Sequence, residues 1–148
     1  MTDDLTFFGT GRGYMFSWLE QTFSETEDPM PYPSIEASCG SATTEDGSRI
    51  IVVAGGYYDS TSQSRVQVFD GRTWSLGPEL PMPLAQGRVV STRNSFLIVG
   101  GRSGSSGGVD TILEVNPRNM TWETRSETTQ HDYYMQYVVP VESKLFCT

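Results

Sequence analysis

Arg49-Ile50-Ile51-Val52-Val53-Ala54-Gly55-Gly56 is an apolar run that ends in a glycine pair, and Ser95-Phe96-Leu97-Ile98-Val99-Gly100-Gly101 repeats it 45 residues later. Self-similarity at a period of roughly 20–50 residues is the mark of a repeat architecture and outranks local propensity. Val, Ile and Phe fill both runs, and such side chains suit a pleated surface better than a helix. A glycine pair permits a sharp exit with positive φ, or a close backbone approach where a side chain would clash.

Working outward, the features continue to match. Residues 57–64 form a polar loop ahead of the alternating segment Arg65-Val66-Gln67-Val68-Phe69-Asp70. Residues 102–108 form a second, glycine-serine loop ahead of Thr111-Ile112-Leu113-Glu114-Val115-Asn116. Each segment then turns into a tryptophan, through Asp70-Gly71-Arg72-Thr73-Trp74 and through Asn116-Pro117-Arg118-Asn119-Met120-Thr121-Trp122. Pro29-Met30-Pro31 precedes the first unit and Pro81-Met82-Pro83 the second, 52 residues on. Short strands joined by tight loops form a four-stranded antiparallel sheet whose apolar faces need neighbours of the same kind.

The strands predicted for the first unit are 37–43, 49–54, 65–70 and 73–77; for the second they are 88–93, 95–99, 110–115 and 121–125. Tyr133 to Val139 and Ser143 to Cys147 read as the first two strands of a further unit. Gly13 to Leu19 reads as the tail of a preceding one, with Trp18 matched to Trp74. The resulting division is 1–35 (a partial unit or extension), 36–86, 87–130, and 131–148 (a further, truncated unit). Trp18, Trp74 and Trp122 are read as core residues, being large packing surfaces whose ring nitrogens need partners.

This order of features resembles the kelch repeat, the blade of the kelch β-propeller. Gly55, Gly56 and Trp74 carry the resemblance in one unit, and Gly100, Gly101 and Trp122 in the next. Asp70 and Asn116 stand where the family has its turn acid. Phe69 and Val115 replace the tyrosine that often precedes it. The link Pro81-Met82-Pro83 leading toward Arg88 is also similar to the family's. The resemblance covers residues 36–124 and implies an all-β fold of kelch-type blades in an incomplete ring. An open slice exposes apolar faces and strand edges. The expectation is therefore an excerpt of a longer ring, then a degenerate domain, then a half-ring that pairs with another copy.

The 148 residues carry 10 Lys and Arg against 18 Asp and Glu, a formal charge of -8. That balance argues against nucleic acid and against an anionic membrane surface, both of which need a cationic footprint. No apolar run approaches the ~18 residues of a membrane span, and Met1-Thr2-Asp3-Asp4 opens no signal-peptide pattern. Cys39 and Cys147 are read as small buried strand residues, with pairing left open. No CxxC or ligand cluster predicts a metal site, so neither metal nor cofactor is expected.

Catalysis needs an acid–base pair, a nucleophile or a metal at working distance. His131 is the only histidine and is read as a locally bonded strand-entrance residue. No G-x-S-x-G elbow precedes a helix, and no helix is expected. Gly9-Thr10-Gly11-Arg12-Gly13 and Gly100-Gly101-Arg102-Ser103-Gly104 lead into no helix that would cradle a phosphate. Galactose oxidase is a kelch-like enzyme with a copper site of tyrosines and histidines. Tyr133, Tyr134 and Tyr137 surround His131 here, but the second histidine is missing. A non-enzymatic chain is expected, with a fragment of a kelch-like enzyme as an alternative.

The resemblance implies that loops between the second and third strands share a face with the links between blades. Those loops are residues 57–64, 102–108, 78–86 and 126–130. Tyr57, Tyr58, Arg65, Arg88 and Arg102 are the candidate contacts for a protein partner, since tyrosine and arginine bury much area while keeping polar reach. The family's adaptor roles favour a protein-interaction module and a cytoplasmic location, with the remaining blades or a second copy as further partners. The alternative is a secreted or cell-surface propeller glycosylated at Asn119, within the acceptor pattern Asn119-Met120-Thr121.

Overall fold

The computed structural model describes residues 5–8, 13–17, 19–91, 95–104, 107–116, 119–125, 138–141 and 144–147. Regular structure among them is entirely β. Strands β1 (Leu5–Phe8), β2 (Gly13–Ser17) and β3 (Thr22–Glu25) form a three-stranded antiparallel meander. β4 (Ser38–Thr43) and β5 (Arg49–Ala54) follow, then a small hairpin of β6 (Tyr57–Tyr58) and β7 (Thr61–Ser62), then β8 (Val66–Phe69) and β9 (Trp74–Gly77). The order β4-β5-β8-β9 makes a four-stranded antiparallel sheet, with the hairpin standing in its middle loop. β10 (Arg88–Ser91), β11 (Phe96–Val99), β12 (Ile112–Asn116) and β13 (Thr121–Thr124) make a second such sheet in sequence order. β14 (Val138–Val141) and β15 (Lys144–Cys147) pair as a final hairpin. The fold is thus all-β with repeated four-stranded antiparallel sheets, and no closed ring forms among the described residues.

Side-chain alternation explains how the two sheets meet. Ile50, Val52 and Ala54 lie two apart on one face of β5, as do Phe96 and Ile98 on β11 and Leu113 and Val115 on β12. With Ala42, Val66, Leu80 and Leu84 they form one buried cluster between the sheets. Each large side chain so buried is worth about 1.5–3 kcal/mol. The inner strands approach so closely that only glycine fits at position 40, where a Cβ would stand 2.4 Å from Phe96 Cε2 and 2.5 Å from Val89 Cγ1. Ser38 Oγ donates to the carbonyl of Gly87 at 3.1 Å across the same junction.

The outer strands carry the aromatics. Trp74 is the register partner of Phe69 and Trp122 of Val115. Both tryptophans are half-buried flank residues rather than central core. Trp74 packs on Phe69 with ring centroids 5.1 Å apart, and Trp122 meets Phe96 edge-on at 6.1 Å. Trp122 Nε1 donates to the carbonyl of Pro78 at 3.0 Å, tying the second sheet to the link that leaves the first.

Three readings change. Gly13–Ser17 is the middle strand of its meander, not an outer one, because a further short strand follows it. The outer-strand aromatic there is Phe23, paired with Phe16 at a centroid distance of 4.9 Å, and Trp18 lies outside the described residues. The proline links align at an offset of 50, not 52: buried Met30 matches buried Leu80, and Ile35 matches Ala85. Cys39 lies in a strand as expected but is exposed and free, on the face opposite the inter-sheet core. His131, Tyr133, Tyr134, Tyr137 and the loop 126–130 lie outside the described residues.

Candidate functional site: a loop face at one end of the sheets

Both glycine pairs turn the chain at the same end of their sheets. Gly55 and Gly56 have φ of 67° and 91°, and Gly100 and Gly101 have 63° and 114°, a region that ordinary side chains avoid. The backbone also approaches closely there. A Cβ on Gly55 would meet the Leu84 carbonyl oxygen, and one on Gly101 the Ala85 carbonyl oxygen at 2.7 Å.

The residue after each pair then bonds to the link entering its own sheet. Tyr57 and Ile35 exchange two backbone hydrogen bonds, at 2.7 and 3.0 Å. Arg102 and Ala85 do the same at 2.7 and 2.9 Å. The next link residues, Glu36 and Gln86, both take the left-handed conformation, with φ of 55° and 60°. They also meet one another: the Gln86 amide donates to the Glu36 carbonyl at 2.9 Å, and Gln86 Nε2 donates to Glu36 Oε2 at 2.7 Å. The middle loops touch too, through the Gly104 N–H and the buried Ser62 Oγ at 2.8 Å. Links and middle loops of both sheets are therefore locked into one continuous end surface.

The candidate residues take different roles on it. Tyr58 is 47% exposed at the tip of the β6–β7 hairpin, while Tyr57 is half-buried. The Arg65 guanidinium lies over the ring of Tyr32 at 4.3 Å and is committed to that stack. Arg88 and Arg102 are half-buried and engaged within the chain. Arg88 opens inner strand β10, and Arg102 holds the link at Ala85. Two further residues, Tyr32 at 38% and Ile35 at 56% exposure, are open to solvent on the segment that leads into β4. Tyr32 is fixed by Gln67, which is buried and grips its backbone with both amide atoms: Tyr32 N–H donates to Oε1 at 2.8 Å and Nε2 donates to the Tyr32 carbonyl at 2.9 Å. The signal for Tyr32 and Ile35 lay in the correct alignment of the proline links.

The opposite end is polar. An open depression of about 630 Å³ is lined by Thr44, Glu45, Asp46, Ser48, Ile50, Asp70 and Arg72. Its carboxylates shape turns. Asp46 Oδ1 accepts from Thr44 Oγ1 and the Ser48 amide, and Asp70 Oδ1 accepts from the amides of Arg72 and Thr73. These donors hold both acids below the usual carboxylate range, led at Asp46 by the Thr44 hydroxyl and at Asp70 by the Thr73 amide. No group of three His, Cys, Asp or Glu residues that could hold a metal occurs among the described residues. No helix among the described residues is long and apolar enough to cross a membrane.

No family model matches the sequence, and no curated protein matches it either.

Proposed function

We propose that the chain is a non-enzymatic protein-interaction module whose sheets are kelch-type propeller blades. Its partner docks on the end formed by the links and middle loops. The observation that carries the reading is the locking of both links and both middle loops by backbone bonds into one end surface, on whose segments Tyr32, Ile35 and Tyr58 are each exposed. An aromatic-rich patch that is already ordered loses little freedom on binding. Arg65 widens the patch through its stack on Tyr32, and its charge stays at the rim. The kelch part of the proposal is supported by the repeated order of glycine pair, alternating strand, turn and outer aromatic, and by equivalent residues meeting across neighbouring sheets.

The test is quantitative capture of a single identified partner by the full chain and by surface variants. Ile35→Ser with Tyr58→Ala is expected to lower affinity at least tenfold, while Arg72→Ala at the polar end leaves it unchanged. Equal loss from both, with folding intact, would move the docking surface off this end.

A further inference from the structure

Asn119-Met120-Thr121 is the only Asn-x-Ser/Thr triplet in the sequence, and it sits in the turn between β12 and β13. Asn119 Oδ1 accepts from the Thr121 amide at 3.2 Å and from the Thr121 hydroxyl at 2.7 Å. Met120 between them takes the left-handed conformation, with φ of 56°. Turn-forming Asp46 and Asp70 do comparable work in the first sheet with carboxylates alone. An aspartate at position 119 would serve the turn equally well. The asparagine differs only in Nδ2, which makes no hydrogen bond among the described residues, and the residue is exposed. The β12–β13 turn also lies at the end of its sheet opposite the link and middle-loop surface. A large group attached there stands at the far end of the sheet from the links and middle loops.

We propose that Asn119 is an N-glycan acceptor and that the chain therefore resides where such glycans are added, in a secretory lumen or outside the cell. The donor is a lipid-pyrophosphate-linked oligosaccharide. Transfer forms a bond between the anomeric carbon of the first sugar and Nδ2. It breaks the bond from that carbon to the phosphate oxygen, so the lipid pyrophosphate leaves and the amide gives up one proton. The inference stands apart from the docking surface, since it rests on the other end of the sheet.

The test is on native full-length protein, treated with a glycan-releasing amidase in oxygen-18 water and digested with trypsin. Arg118 and Arg125 bound the peptide 119–125. Conversion of Asn119 to labelled aspartate is the expected result, and recovery of that peptide wholly as unlabelled asparagine overturns the proposal. Secreted variants separate acceptor chemistry from turn formation. Asn119→Asp keeps the Oδ1 acceptor and is expected to lose the glycan-dependent shift in mobility, while Thr121→Ser keeps it. A shift that survives in Asn119→Asp overturns the assignment to this residue.

Discussion

Gly40→Ala tests how the two four-stranded sheets are joined. A Cβ at this position would lie 2.4 Å from Phe96 Cε2, 2.5 Å from Val89 Cγ1 and 3.1 Å from Phe96 Cδ2. Ordinary carbon contacts are about 3.5–4.0 Å, so both neighbours must retreat by roughly 1 Å. Phe96 is fully buried and packs against Trp122, which leaves its ring nowhere to go without moving the second sheet. Overpacking of this kind costs about 1–3 kcal/mol, and collision on two sides places it in the upper half of that range. Alanine also restricts the unfolded chain, which offsets about 0.4–1 kcal/mol. The net loss is about 1–2.5 kcal/mol. At about 2–4 °C per kcal/mol for a chain of this size, the melting midpoint falls by about 2–10 °C. Thermal and urea unfolding followed by far-ultraviolet circular dichroism read the effect, with Ser41→Ala as the neighbouring control. The double variant Gly40→Ala with Phe96→Leu should recover part of the sum of the single losses, because the smaller side chain vacates the contested space. Strict additivity, or a Gly40→Ala melt indistinguishable from wild type, would refute the packing.

Gln67→Leu removes both amide bonds to the Tyr32 backbone while filling similar volume. A loss of about 2–4 kcal/mol is expected from two broken bonds and their stranded backbone partners, with new proteolytic cleavage near residue 32; unchanged protection there would contradict the clamp. Cys39 reaches solvent, yet the atoms crowding it desolvate its thiolate and push the thiol up to about 11. Its alkylation should be slow at pH 8 and accelerate through pH 10–11, as assayed by iodoacetamide labelling, whereas a free-thiol rate at pH 8 would show that solvent access prevails. Because the folded thiol holds its proton more tightly than the unfolded one, this group's contribution to stability is complete below pH 9 and is lost as pH rises toward about 11. Asp46 and Asp70 act in the opposite sense, their folded values being lowered by turn hydrogen bonds. Their contribution is present above the ordinary carboxylate value and disappears as pH falls through the lowered one, so Asp46→Asn with Asp70→Asn should flatten the acid limb of a stability–pH curve.

The repeating unit was legible because its strands state their periodicity plainly. Ile50, Val52 and Ala54 alternate onto one face, and glycine pairs end both second strands. The eight strands expected between residues 37 and 125 coincide with β4, β5 and β8–β13 to within a few residues at their ends. The misread features depend on contacts that periodicity does not encode. Register places Phe23 opposite Phe16 on the outer strand of the N-terminal meander, a pairing that the spacing of tryptophans does not reveal. The proline links slipped by two residues because Pro29 and Pro33 both continue the Pro-x-Pro pattern around Pro31, and only the bridges at Ile35 and Ala85 fix the offset. Cys39 was expected inside because cysteine usually packs as a small apolar residue, but it lies on the face of β4 away from the core. The ring partner of Arg65, Tyr32, is 33 positions earlier in the sequence. Long-range stacking of this kind is invisible to local spacing.

The account stands on the strands and links of neighbouring sheets meeting one another. Nuclear Overhauser contacts in the isotopically labelled full chain measure that directly. Contacts are predicted from the Gly40 α-protons to the Phe96 ring, from the Glu36 α-proton to the Gln86 amide, and from the Trp122 indole N–H toward Pro78. Strong cross-strand contacts within each sheet, such as Val52 to Val68, with none of these three between sheets, would contradict the account and leave two sheets that fold side by side without forming a shared surface.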